Sequence, residues 1–291
     1  MKYLSENSIT KKKWTILEAN LPQPDICTGV EILDYEKFEK VFLTQNYLLL
    51  EEIIEKLYSG KIYIIKNAFD EKFVNKIKND FLHFTKSKPN EFHKMKENCP
   101  DFHRIIDEEV TNFYSMRAIK HSAYFFPWNK NEYNLFPIIY EKWRLLKFLG
   151  GRRYDEFENN TPINGVVDRI QVLRYPLGGE LVTHSDPFHN QRMFISIYLS
   201  KRDKNSDYEE GGFYSLGKNN EEIDLEPFID AGDMGFGYAT IKHGVKKING
   251  HSTDYDWKSE KGRWFIGLYS NDSDEISNRK TSKAIPRQSE N

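Results

Sequence analysis

The stretch 181–190, LVTHSDPFHN, holds an imidazole and a carboxylate two residues apart, His184 and Asp186, with another imidazole at His189. Residues i and i+2 of a β-strand share a face, so His184 and Asp186 can aim at one point. That point is either a metal ion or the middle of a hydrogen-bonded surface pair, and the triplet alone does not choose. His243 lies in a second apolar-flanked segment, 240–248, TIKHGVKKI, and Arg263 opens the run 263–270, RWFIGLYS. Together His184, Asp186 and His243 could hold a divalent metal and leave part of its sphere open for chemistry. His189 follows Pro187 and belongs to the loop beyond the strand.

These side chains need a rigid frame. From about Asn164 the chain alternates apolar and polar residues in short runs broken by Gly, Pro, Asn and Asp. The spacing predicts strands over 166–175, 181–184, 194–200, 212–216, 234–239, 243–248 and 263–270, the pattern of an antiparallel sandwich or barrel. The segment 170–184 reads as strand, turn, strand, with Pro176, Gly178 and Gly179 turning the chain. His184 therefore stands near a strand end, where a site can open to solvent. Upstream, helical spacing marks 46–59, the stretch after Asp70 through Leu82, and 135–149, with a short strand at 62–65. Residues 1–40 read as a surface arm, 90–130 as irregular, and 272–291 as a polar, disordered tail.

Two neutral imidazoles and one carboxylate on one side of a metal form the facial arrangement of non-haem Fe(II) oxygenases. The open positions admit a chelating 2-oxo acid and O2. The far carboxylate of such an acid, once buried, needs a cation, and the planar fork of arginine suits it best. Arg263 is placed to be that cation.

At this point the sequence resembles the Fe(II)- and 2-oxoglutarate-dependent dioxygenases, nearest to their prolyl-hydroxylase-like branch. The resemblance spans roughly 165–272. It rests on the strand ending in Tyr175, on His184-Ser185-Asp186, and on RMFISIYLS (192–200), EGGFYSL (210–216), GDMGF (232–236) and HGV (243–245). Gly262-Arg263 leading the last strand completes it. It implies that His184, Asp186 and His243 bind Fe(II), that Arg263 grips the C5 carboxylate of 2-oxoglutarate, and that the hydroxyls of Tyr175 and Tyr198 lie near this co-substrate. The interval from His243 to Arg263 exceeds the family's usual one. It is read as a lengthened turn over 249–262, with Lys246 or Lys247 as the alternative anchor. A carboxylate at 186 argues for hydroxylation or desaturation over halogenation. The last strand has no second arginine of the kind found in the DNA-repair branch. Arg104, Arg117 and His121 fall where family members build substrate lids.

The whole chain is compatible with this reading. Its 291 residues suffice for a large core without staples, and a net charge of −2 leaves no electrostatic footprint for nucleic acid or an anionic membrane. Two distant cysteines, Cys27 and Cys99, fit no metal spacing and point to a reducing, cytoplasmic setting. No apolar run approaches the ~20 residues of a membrane span. The expected fold is mainly β with α: a double-stranded β-helix (jelly roll, cupin-like) with N-terminal supporting helices. Residues 1–163 would form the arm, support and lid, 164–272 the catalytic core and 273–291 the tail, in one integrated domain. The expected reaction is hydroxylation of an unactivated C–H bond, consuming 2-oxoglutarate and O2 and releasing succinate and CO2. A small metabolite is favoured over a peptide as substrate. The rivals are a metal- or ligand-binding module without turnover and a zinc or manganese cupin isomerase.

Overall fold

The computed structural model describes residues 9–113, 116–250 and 255–281. Helix α1 (Ile9–Asn20) is followed by β1 (Gly29–Asp34), α2 (Tyr35–Leu43), α3 (Tyr47–Tyr58) and β2 (Lys61–Lys66). Next come α4 (Glu71–Ser87), β3 (Phe102–Ile106), α5 (Glu108–Thr111), β4 (Ala118–Phe125) and α6 (Leu135–Leu149). The C-terminal half is built of strands: β5 (Val166–Tyr175), β6 (Glu180–His184), β7 (Met193–Tyr198), β8 (Gly212–Leu216), β9 (Glu222–Asp224), β10 (Met234–Tyr238), β11 (His243–Lys246) and β12 (Arg263–Asp272).

The strands pair in the order β1-β2-β10-β7-β12-β5-β4-β6-β11-β8-β9, with β3 alongside β4. Each of these strand pairings is antiparallel except β1 with β2. Strand β4 is common to two sheets. His121–Phe125 pair with β5, whereas Ala118 and Ile119 pair with β6. The larger sheet and the β6-β11-β8-β9 sheet enclose an apolar interior between them, in which Phe194 of one meets Phe213 of the other edge-on. This is the double-stranded β-helix, with helices on the outside of the larger sheet.

Alternation sorts the larger sheet into two faces. On β5, Tyr175, Leu173, Gln171 and Arg169 point inward, while Arg174, Val172, Ile170 and Asp168 point out towards the helices. The outer face buries polar groups that are closely matched. Asp168 is fully buried and takes hydrogen bonds from Ser270 Oγ (2.8 Å) and Tyr140 OH (3.0 Å) and an ion pair from Lys147 of α6. Arg174 donates to the carbonyls of Asp256, Ser259 and Lys261 in the segment before β12. Beneath α4, His103 Nε2 donates to the Lys88 carbonyl (2.9 Å), so its Nδ1 accepts from His121 Nε2 (3.0 Å). Burial keeps both imidazoles below the ordinary range, and His121 is further depressed by His103.

Three stretches depart from the sequence reading. Residues 9–20 form a helix rather than an arm. One aromatic fastens it: Trp14 is wholly buried, donates to the Leu149 carbonyl (2.6 Å) and packs on Tyr58 and Tyr238. The irregular region 90–130 contains β3 and β4, whose alternation is hidden because Lys120 and Ser122 face inward while His121 faces out. Residues 273–281 do not trail away. Ser273 is buried and donates to the Pro162 carbonyl (2.7 Å), and Asp272 accepts the backbone N–H groups of Lys280 and Thr281. The tail expected over 282–291 lies outside the described residues. No described helix is long and apolar enough to cross a membrane.

Candidate active site

Strand β6 ends on His184, β11 begins on His243, and the two are paired directly across the ladder. Their rings lie 4.4 Å apart at 58°. Asp186 sits two residues beyond the end of β6, where its N–H donates to the Ala239 carbonyl (2.8 Å) after β10. The carboxylate is thereby turned back towards both imidazoles. Asp186 Oδ1 is 3.6 Å from His184 Nε2, and Oδ2 is 3.9 Å from His243 Nε2. These separations are too long for hydrogen bonds. They suit three ligand atoms arranged around a shared ion, and all three lie within 4.8 Å of one another.

The other nitrogen of each ring fixes its tautomer. His184 Nδ1 donates to the Val182 carbonyl (3.1 Å) and His243 Nδ1 to the Ile241 carbonyl (2.8 Å). Each Nε2 therefore turns an unprotonated lone pair on the common point. Burial, and then the neighbouring His243, push His184 down to about 4, against a smaller opposing pull from Asp186.

The triad borders a small cavity between the two sheets, lined also by Tyr175, Tyr198, Phe213, Phe265, Tyr269 and Arg263. Arg263, 2 % exposed, begins β12 with its guanidinium carbon 5.2–5.6 Å from the rings of Phe265, Tyr198 and Phe213. Its Nε donates to Glu226 Oε1 (2.6 Å). The same carboxylate takes the Phe213 N–H (2.6 Å) and the Tyr208 hydroxyl (2.5 Å). Burial works against the guanidinium charge, but Glu226 and nearby tyrosines hold its pKa above the usual value. Only the Nε edge of the fork is used; Nη1 and Nη2 make no hydrogen bond among the described residues.

Two more polar atoms here lack partners among the described residues. The hydroxyls of Tyr175 and Tyr198 are buried and unbonded, and burial raises both pKa values, so they remain O–H donors. Orphaned buried hydroxyls beside a half-used guanidinium are what a bound carboxylate would satisfy. The donor set at the other end of the cavity fits a divalent metal.

The other sequence candidates lie apart. His189 is stacked on Phe188 and is not among the residues lining the cavity beside the triad. Lys246 pairs with Glu222 on the outside. His121 faces α4 rather than the cavity. Arg117 is held by Glu108 and Glu180. Arg104 is buried on the inner face of β3 over Phe92 (5.0 Å) and does not line the cavity. Sequence reasoning missed Glu226, because a lone acidic residue in the turn after β9 carries no pattern.

No family model and no curated protein sequence matches this chain. Solved structures do. A full-length Neurospora crassa protein, crystallised in complex with alpha-KG and thymine, superposes with a TM-score of 0.53 at 16% identity, covering 92% of this chain and 93% of that one. The same Neurospora protein in complex with alpha-KG gives 0.52 at 14% identity over 84% and 85%. At such identities the likeness concerns architecture alone: this chain shares the overall fold of the Neurospora protein.

Proposed function

We propose that this chain is an Fe(II)- and 2-oxoglutarate-dependent dioxygenase of the prolyl-hydroxylase-like branch. In this reading it hydroxylates an unactivated C–H bond of a small-molecule substrate and releases succinate and CO2. One observation carries the reading: three lone-pair donors converge at one end of a cavity between the two sheets, and a half-used arginine with two unbonded tyrosine hydroxyls lines the same cavity.

His184, Asp186 and His243 hold the metal. Arg263 receives the C5 carboxylate of 2-oxoglutarate through its free Nη edge, and Tyr175 and Tyr198 donate hydroxyls to the same co-substrate. When bound, iron supplies the O2 chemistry. The protein fixes the ligand geometry, orients the oxo acid and keeps water out. Residues 164–272 carry these groups, and 1–163 provide support and part of the substrate side. The buried free thiols Cys27 and Cys99 fit a cytoplasmic setting.

Anaerobic addition of Fe(II) and 2-oxoglutarate should produce a weak visible charge-transfer band that His184→Ala abolishes. Absence of the band together with absence of succinate release would remove the enzyme reading. Arg263→Ala separates the rival binding module. A dioxygenase loses 2-oxoglutarate affinity while retaining metal, whereas a plain metal site keeps both its metal and its ligand.

A further inference from the structure

A buried guanidinium with no task but to receive a ligand's carboxylate would stand unmatched until the ligand arrives, which is unfavourable. Arg263 does not stand unmatched. Its side chain and that of Glu226 are both almost wholly buried, and Arg263 Nε donates to Glu226 Oε1 at 2.6 Å. The Glu226 carboxylate is itself held firmly. It takes the Phe213 N–H (2.6 Å) and the Tyr208 hydroxyl (2.5 Å), and the Glu226 N–H donates to Asp224 Oδ1 (3.2 Å). The backbone closes against it: Gly212 stands at φ +106°, and a Cβ there would come within 2.5 Å of the Glu226 side chain. Arg202, which bonds the adjoining Gly211 carbonyl, is paired with Asp224 instead (2.6 Å).

The Arg263 end of the cavity is therefore rich in protons to donate, yet the charges of Arg263 and Glu226 sum to zero. Among the described residues, the Nη1 and Nη2 groups of Arg263 and the hydroxyls of Tyr175 and Tyr198 meet no acceptor. The rings of Phe213 and Phe265 lie against the same guanidinium. Such an end calls for acceptor oxygens. It does not call for an anion, because a carboxylate already sits 2.6 Å from the cation. A second anion on that guanidinium gains hydrogen bonds but meets the repulsion of the first.

We propose that Glu226 is a specificity-determining residue for the co-substrate. By neutralising Arg263 in place, it makes the site select a 2-oxo acid for the acceptor oxygens at its far end more than for a charge there. A 2-oxo acid that ends in a carboxamide then competes with the dicarboxylate. Glu226 also fixes the planar fork: it engages the Nε edge and leaves the Nη edge for the ligand. This inference rests on the reading of Arg263 as the co-substrate's anchor, given above.

The test reads binding without turnover. Protein loaded with Mn(II) is titrated calorimetrically with N-oxalylglycine, a 2-oxoglutarate mimic, and with N-oxalylglycinamide, which has the same shape but an uncharged far end. A matched arginine should favour the acid by about tenfold or less, the difference between a charge-assisted and a neutral hydrogen bond. Glu226→Gln leaves the guanidinium unmatched, and the preference for the acid should widen by about a further tenfold or more. Tyr208→Phe removes one hydrogen bond from Glu226 but no charge, and should leave the preference unchanged. A purely structural role for Glu226 would weaken both ligands alike and leave their ratio unmoved. The wild-type comparison needs no variant, so misfolding of Glu226→Gln does not blunt it. A wild-type preference well beyond tenfold, a ratio unmoved in folded Glu226→Gln, or an equal widening in Tyr208→Phe overturns the proposal. If neither ligand binds the Mn(II)-loaded protein, the anchoring reading itself fails, so the two failures are distinct.

Discussion

At the scale of single residues, the telling pair is Arg263 with Glu226. A buried guanidinium whose counter-ion is removed becomes an uncompensated charge, a change that costs about 3–5 kcal/mol. Glu226→Gln keeps the acceptor for Arg263 Nε and the Phe213 N–H but deletes the charge. We expect a lower unfolding free energy for the free protein and a larger thermal upshift on adding 2-oxoglutarate with Mn(II), because the co-substrate's carboxylate then supplies the missing counter-charge. An upshift equal to wild type would mean that Arg263 does not receive that carboxylate. The contrast with the triad shows what a sequence displays. His184, Asp186 and His243 were legible because rare ligand types sat at strand ends in a spaced order. Glu226 is an ordinary charge in the turn after β9, whose meaning appears only once the fold sets it against Arg263.

At the scale of elements, α6 is fixed to the larger sheet by Lys147 and Asp168, both nearly inaccessible. Lys147→Ala should destabilise by about 3–5 kcal/mol in urea unfolding, since Asp168 keeps only the Ser270 and Tyr140 hydroxyls. The double variant Lys147→Met/Asp168→Leu should recover most of the loss, because an apolar pair of similar size replaces both charges. A double variant as unstable as the single one would show that the pair does more than neutralise itself. Long amphipathic elements were readable: α3, α4 and α6 follow their apolar periodicity, and the C-terminal strands fall within a few residues of their expected limits. Strand β4 was not, since polar side chains on both faces erase the alternation. Helix α1 was not, since it is fastened by one tryptophan rather than a stripe.

At the scale of the whole molecule, stability should depend on pH through the His103–His121 pair. Burial holds both folded-state pKa values below the ordinary 6.5, so the unfolded chain takes up protons first as pH falls. Their contribution is complete above about 6.5 and is lost as pH drops from there towards the folded-state values. The melting temperature should fall between pH 7.5 and 5, and His103→Gln/His121→Phe should flatten that slope. An unchanged slope would place the acid sensitivity elsewhere. The sharing of β4 has a consequence of another kind. Because one strand is stitched to β5 at one end and to β6 at the other, it is the seam that closes the sandwich along that side. Peeling it away would bare a fresh edge on each half at once, inviting other chains to zip on. A truncation or permutation that opens the chain between Ala118 and Phe125 should therefore yield aggregates, whereas cuts in the exposed turns should be tolerated.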